Sequence, residues 1–493
     1  MIADKLAEIV GAANIVTDDA GRAFYSNDLS YTAVDVAAAV VAPGSAEEVA
    51  AIVRVANEAG HPVVARGGGM SYTRTFVPGQ PNVVLLDMRR LNRVVEVNTD
   101  DMYVIAEAGV TWEQLYLETS GHGVRTPYWG PLSGRFATVG GTISNNSVFF
   151  GSTKYGSTAD SVLGLEVVLA GGETIRTGSW AHRSGTPFTR YYGPDLSGLF
   201  IADTGAMGIK TKASLKLVPM PATSVGLGFS VPSFDASNEL LLEIARTGLT
   251  TEAYGFDPLY NGVFADLGFA YLRDVQWSIF AVVDGADDAA ADAAADVVRA
   301  IGLRYGAEID PSVPMAVRAD PFGAVRSVLM GPKGELWMPI HGIFPRSKSK
   351  LAADACVAYF AKNDDLIKKH NIKLSLLTLA SGTDFIFEPS FYWHDALGDF
   401  RLEKIEQEYA DEWAKIPADL ETREVALRLR RELAAIFDSL GAVHLQIGKW
   451  YEFASQIEPS ALATLTSVKR ALDPDGLINP GSLGLDQGGK TWQ

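Results

Sequence analysis

VVARGGGMSYT, residues 63–73, runs out of an apolar strand into three consecutive glycines and a small polar patch. Glycine permits φ > 0 and lets the main chain come close to a neighbour. The triplet after Arg66 therefore serves either a tight protein turn or a cradle for a phosphate. Working outward, AVVAP reads as a strand, SAEEVAAIVRVANEAG as a helix and HPVVARGGG as a second strand, a βαβ unit that ends on the glycines. Ser45 suits an N-cap with Glu48 three residues on, as in a capping box. Val49, Ile52, Val53 and Ala56 form the apolar stripe, and Gly60 closes the helix.

Alone, the loop matches no nucleotide fingerprint. Gly67 and Gly69 have the first spacing of GxGxxG, but Tyr72 stands at the third position, and no Gly-Lys-Ser/Thr follows. A second cluster, TVGGTISNN, brings Gly140 and Gly141 together with Thr138, Thr142, Ser144, Asn145 and Asn146. Backbone N–H groups in such stretches make anion-binding concavities. Two glycine-rich loops, each at a strand end of one domain, are what a diphosphate held between them requires.

The 493 residues imply two or three domains. A net charge of −17 argues against nucleic acid and anionic membranes as partners. Cys356 is the single cysteine, which excludes an internal disulfide or a cysteine metal cluster. No apolar run reaches the length of a membrane span, the N-terminus lacks a signal pattern, and a cytoplasmic protein is expected. After Pro219, helical patterns such as DDAAADAAADVVRAIG alternate with strands such as WSIFAVV and LSLLTLA. That predicts an α+β domain with helices on one face of an antiparallel sheet, over about 220–440. The charged stretch 401–441 is expected to be helical with a solvated face.

Five stretches carry a resemblance: 40–73, 85–115, 137–178, 192–219 and 472–481. In order and content they resemble the flavoprotein family of vanillyl-alcohol oxidase and p-cresol methylhydroxylase. The resemblance covers nearly half the chain. It implies an α+β fold with a two-part FAD-binding domain at 1–219, a substrate domain at 220–440, and a segment at 441–493 that completes the site and returns to the first domain. It implies FAD, with Arg66, Gly67, Gly68, Gly69, Met70, Ser71 and Tyr72 as the pyrophosphate loop. Pro131, Leu132 and Ser133, with Thr138, Gly140, Gly141, Ser144 and Asn145, would border the diphosphate and ring. Ile209 would lie at the adenine end, and Asn479 would return toward the flavin. Met70 stands where some members carry a tethering His, and Trp337 stands where others place a tether, so non-covalent FAD is expected; His341, four residues on, is the position that could restore one.

Oxidation of an alcohol needs a hydride acceptor and a base for the hydroxyl proton. DFIFEPSFYWHD offers Asp384, Glu388, Tyr392 and His394, with Pro389 expected to bend the run. GAVHLQIGKWYEF offers His444, Gln446, Lys449 and Tyr451, with His444 and Gln446 expected on one strand face. HLQIGK is similar to the metal motif of D-2-hydroxy-acid dehydrogenases, which implies Glu388, His394 and His444 as ligands for Mn²⁺ or Zn²⁺. Arg318 and Arg326 are candidates to clamp a carboxylate, or are surface charges on a helix. The expectation is an FAD-dependent oxidation of a small hydroxylated molecule, with His444 as base or ligand and Glu388 as its partner. A 2-hydroxy acid leads, and an aromatic alcohol or para-substituted phenol is the alternative. A reductase fed by NAD(P)H lacks a nicotinamide fingerprint, and a non-catalytic flavin-binding protein remains a minor alternative. Dioxygen or a separate acceptor would take the electrons. A homodimer is compatible with the sequence, which sets no oligomeric state.

Overall fold

The computed structural model describes residues 2–30, 35–323, 326 and 329–485. Residues 486–493, the end of the expected C-terminal segment, lie outside the described residues. The βαβ unit forms as its pattern predicts. Val63–Arg66 (β1) and Ala39–Val41 both pair parallel with Val84–Asp87, and the helix Ala46–Glu58 makes the crossover. Ser45 caps that helix by accepting from Glu48 N at 3.2 Å, while the Glu48 carboxylate accepts from Gly44 N at 2.7 Å.

A second sheet of five antiparallel strands follows, with Ile209–Lys216 at its centre between Tyr103–Glu107 and Val162–Val168. The short helix Val139–Asn145 (α1) carries the second glycine cluster and is capped by Thr138.

Besides a two-stranded pairing of Val124–Arg125 with Val218–Pro219, a further sheet has nine strands among the described residues, every pairing antiparallel. Its working half consists of Leu336–Pro339 (β2), Gly342–Pro345 (β3), Lys373–Ser381 (β4), Asp384–Trp393 (β5) and Val443–His444 (β6). β5 lies between β4 on one side and β2 with β3 on the other. Period-two alternation divides β5. Phe385, Phe387 and Phe391 enter a core shared with Phe234–Arg246, Asp288–Gly302, Ser349–Lys362 and Leu420–Ser439 (α2), whereas Ile386 joins the core facing the glycine loops. The expected arrangement of helices on one face of an antiparallel sheet is therefore present.

Three expectations are corrected here. β5 runs unbroken through Pro389, so no bend occurs. What Pro389 does is remove one ladder bond: Ile340 N donates to Pro389 O at 2.9 Å, and Pro389 has no N–H to return it. The charged stretch is three helices, Gly398–Leu402, Gln407–Trp413 and α2, and it is not a uniformly solvated face. Arg401 and Arg430 are fully buried within it, alongside Leu429, Leu433 and Phe437. The run HLQIGK is a strand only to His444; Gln446 turns with φ 51°, so the two do not share a strand face. The tail then returns to the first sheet, where Asn479 N donates to Val63 O at 2.9 Å and Val63 N to Leu477 O at 2.7 Å.

Candidate active site

The two glycine loops press on each other. A Cβ on Gly67 would stand 2.2 Å from Thr138 Oγ1, and one on Gly68 would stand 1.9 Å from Phe136 O. The triplet therefore serves close packing of loop on loop. It also faces a cavity: among the described residues, nothing accepts a hydrogen bond from the N–H of Gly67, Gly68 or Gly69. The close packing of the first reading is present, and these N–H groups are what the second would use.

A cavity extends from these loops to the nine-stranded sheet. A second, smaller one extends the other way to Gly208, Ile209 and Lys210. They meet at Gly67, Phe76, Thr138 and Gly141, forming one elongated slot across the glycine loops. Every residue expected to hold the cofactor lines this slot except Leu132 and Asn479. Leu132 packs into the flanking cores, and Asn479 is buried with its amide donating to Thr75 O and Thr204 O. Arg66 lies under the loop; burial between the Tyr25 and Phe400 rings lowers its guanidinium to about 10.

The sheet end of the slot is built by strand register. Gly342 pairs with Phe387 and Pro339 with Ser390, which sets His341 opposite Glu388. His341 Nε2 lies 3.1 Å from Glu388 Oε2, and both residues line the larger cavity. Gln446 joins them, its N–H donating to Asn145 O at 3.2 Å. Beside Tyr72 and Ser147, this end is lined by apolar side chains: Met70, Val148, Phe149, Leu377, Leu379, Ile386 and Leu445. Apart from Met70, those walls were missed in the sequence because an apolar residue facing a cavity reads like one facing a core.

The other expected catalytic residues stand one layer back. His444 does not line the cavity. Its Nδ1 is 2.8 Å from His341 O, its Nε2 is 2.7 Å from Asp438 Oδ1, and its ring stacks on Tyr451 at 3.9 Å. Tyr451 OH accepts from His341 N at 3.0 Å, and burial pushes this phenol up to about 12. Lys449 Nζ donates to Val77 O at 2.7 Å and fastens the loop after the glycines. Trp337 packs edge-on against Tyr72 at 5.2 Å. Arg318 is neither a clamp nor a surface charge, since it is held by Glu252 and Asp284 at 2.9 Å each. Arg326 lies 3.6 Å over the Tyr409 ring.

The metal expectation is not met by this geometry. His394 follows the end of β5, roughly 20 Å along the strand from Glu388 at about 3.3 Å per residue, with Nε2 3.3 Å from Lys333 O. His444 faces Asp438. Among the described residues no group of three His, Cys, Asp or Glu side chains is set to hold a metal ion.

An elongated slot with free backbone donors at its middle fits a dinucleotide. Its walls also carry buried polar atoms that bond to no described residue: Asn145 Oδ1, Gln446 Oε1, His341 Nδ1 and Arg66 Nε. Such atoms are costly to leave unpaired, and they fit a polar ligand in the slot. Residues 37–178 match the family described as FAD binding domain.

This chain carries an FAD binding domain.

Among sequence relatives, it is 32% identical over 243 residues to the glycolate oxidase subunit GlcD of Bacillus subtilis, covering 49% of this chain and 50% of that protein. Over nearly its whole length it is 26% identical to the D-2-hydroxyglutarate dehydrogenase of Xanthomonas citri pv. viticola, covering 97% of this chain and 96% of that one. The chain spans about half the length of the curated relatives it matches above 30% identity. In structure it resembles a 4-ethylphenol oxidase from Gulosibacter chungangensis, solved with isoeugenol, at TM-score 0.76 and 19% identity over 98% of this chain and 96% of that one. The fold is that of the flavoprotein family named above. No described helix is long and apolar enough to cross a membrane.

Proposed function

We propose that this FAD binding chain is an oxidoreductase that converts a small hydroxylated molecule to a carbonyl compound. The observation that carries the reading is the His341–Glu388 pair, 3.1 Å apart, on the wall of the slot whose middle is the glycine loops. Bound FAD supplies the acceptor for the hydride that leaves the substrate carbon. His341 takes the hydroxyl proton at Nδ1, the buried ring atom without a partner. Glu388, beside Nε2, stabilises the imidazolium that results. Tyr451, through the His341 N–H, and His444, at the His341 carbonyl, hold that backbone in place. Gln446 orients the substrate oxygen. Met70, at the loop position, offers no tether, so bound FAD would be held non-covalently, and dioxygen or a separate acceptor would be the oxidant.

The printed names of the relatives support a 2-hydroxy acid as the leading substrate class. One observation favours an uncharged aromatic alcohol or phenol instead. Among the described residues no Lys or Arg lines the larger cavity, and the Glu388 side chain stands in its wall. A substrate carboxylate there would face that side chain with no Lys or Arg of the wall to offset it. The test is anaerobic bleaching of the flavin by a panel of D-2-hydroxy acids and uncharged aryl alcohols, with metal assayed on the same sample. Bleaching by any member supports oxidation of a CH–OH group, and the class that bleaches fastest settles the substrate. If no member reduces the flavin, the oxidoreductase reading fails.

A further inference from the structure

A third cavity opens beside the slot. Lys154, Tyr155, Ser157 and Asp160 line it from the FAD side, and Thr383 and Asp384 from the β4–β5 turn. Three residues belong to both this cavity and the larger part of the slot: Val148, Ile386 and Leu445. They form the partition between the two.

Strand geometry gives the partition a direction. Alternate residues of one strand share a face. Along β5 Asp384 lines the outer cavity, Ile386 the partition and Glu388 the inner cavity. Along β3 and the residues before it, Ile343 lines the outer cavity and His341 the inner one. Ile343 pairs with Ile386 across the ladder. Two neighbouring strands thus run side by side from the polar mouth to the His341–Glu388 pair, about 13 Å from Asp384 to Glu388 at about 3.3 Å per residue. The burial gradient follows the same line: Thr383 and Asp384 are exposed, Ile386 is 2% exposed and Leu445 4%. Val148, half-buried on the loop after α1, is the partition member nearest to solvent.

We propose that the third cavity is the substrate entrance, and that Val148, Ile386 and Leu445 are an apolar filter that sets which molecules reach the pair. The role rests on the site assigned above and adds its route and its selector. The filter carries no charge and no hydrogen-bonding side chain. A molecule crosses it by shedding water from its body, so slim uncharged substrates pass and fully hydrated anions are retarded.

The mouth can be blocked without touching the reacting groups. The one cysteine, Cys356, is 3% exposed, and burial pushes its thiol up, so it does not compete for a thiol reagent. Thr383→Cys on the exposed turn of the holoenzyme is labelled with a bulky maleimide. Leu117→Cys, 66% exposed on the helix Trp112–Ser120 and lining no cavity described above, is labelled as control. The reading is the rate constant at which acrylamide, an uncharged probe, quenches the fluorescence of the bound flavin, which needs no substrate oxidation. The labelled Thr383→Cys protein is expected to be quenched at least five-fold more slowly than its unlabelled form, with the labelled control unchanged. Val148→Trp, which fills the partition, is expected to slow quenching to a similar extent. Parent rates in both the labelled protein and Val148→Trp overturn the entrance, as does equal slowing in the labelled control. A panel of alcohols that fails to bleach the flavin would sink the oxidoreductase reading while these rates still judged the route.

Discussion

His341 and Glu388 come together because residues 47 positions apart in sequence are directly opposed in one antiparallel ladder. The pair is therefore fixed by backbone register, and replacing either side chain removes chemistry with little effect on fold. His341→Ala and Glu388→Gln are each expected to lower kcat/KM for the best panel substrate by about 10²–10⁴, the usual worth of a positioned acid–base group. The flavin spectrum should be unchanged, and the double variant should be little worse than either single one, because the two act as a unit. Losses that simply multiply would separate their roles. Met70 carries the second expectation at this scale: acid precipitation of the holoenzyme should release all of the flavin into the supernatant. Flavin retained on the precipitated chain would contradict it. Arg430 shows what single residues conceal. Its guanidinium donates to Pro339 O at 2.9 Å and Tyr72 O at 3.1 Å, with the Trp450 ring 3.8 Å away, and burial lowers it to about 10. Nothing in RLRRELAA distinguishes it from its solvated neighbours, because its partners are backbone carbonyls far along the chain.

Elements whose signal is periodic are legible in the sequence. WSIFAVV and LSLLTLA became Trp277–Gly285 and β4, and the capping-box helix starts after Ser45 as expected. Elements set by tertiary contact were not. β6 stops at His444 because Gln446 turns to meet Asn145, and Gly448, at φ 59°, would bring a Cβ within 2.4 Å of Thr73 O. That is why His444 read as the base while His341, in the short run GELWMPIHGIFP, took the cavity position. One element carries a pH dependence of its own. Asp257 caps Pro258–Asp266, its Oδ1 accepting from Tyr260 N at 2.9 Å, and burial raises its carboxyl to about 7. The folded chain holds this proton up to about pH 7, whereas the unfolded chain loses it near the ordinary aspartate value of 3.8. Asp257 therefore makes stability fall as pH rises through that window. Asp257→Asn keeps a good cap without the titration. Melting curves at pH 5.5 and 8.0 should show the variant gaining on the parent at the higher pH. An equal difference at both pH values would remove Asp257 from the account.

At the scale of the whole molecule, the slot exists only while the FAD-binding part and the nine-stranded sheet stay pressed together. A buried charge cluster sits on that boundary. Arg125, beside the Trp129 ring, pairs with Asp284 at 2.6 Å, and Arg318 reaches both Asp284 and Glu252 at 2.9 Å. Glu252 also accepts from Gly151 N at 2.8 Å, across the same boundary. Each carboxylate is met from more than one side, the condition under which buried ion pairs are retained. Removing one member leaves an uncompensated charge, and the loss is then larger than the pair itself was worth. Arg318→Met is therefore expected to lower unfolding stability by about 3–5 kcal/mol, read as the guanidinium midpoint of the holoenzyme. Arg318→Met with Glu252→Gln, which removes one charge of each sign, should recover part of that loss. Because the cluster closes the boundary beside the slot, the single variant should also release FAD at a lower denaturant concentration than that at which its helices unfold. Release coincident with unfolding, as in the parent, would make the cluster a plain stability element and leave closure of the slot to the apolar contacts around Phe150 and Phe322.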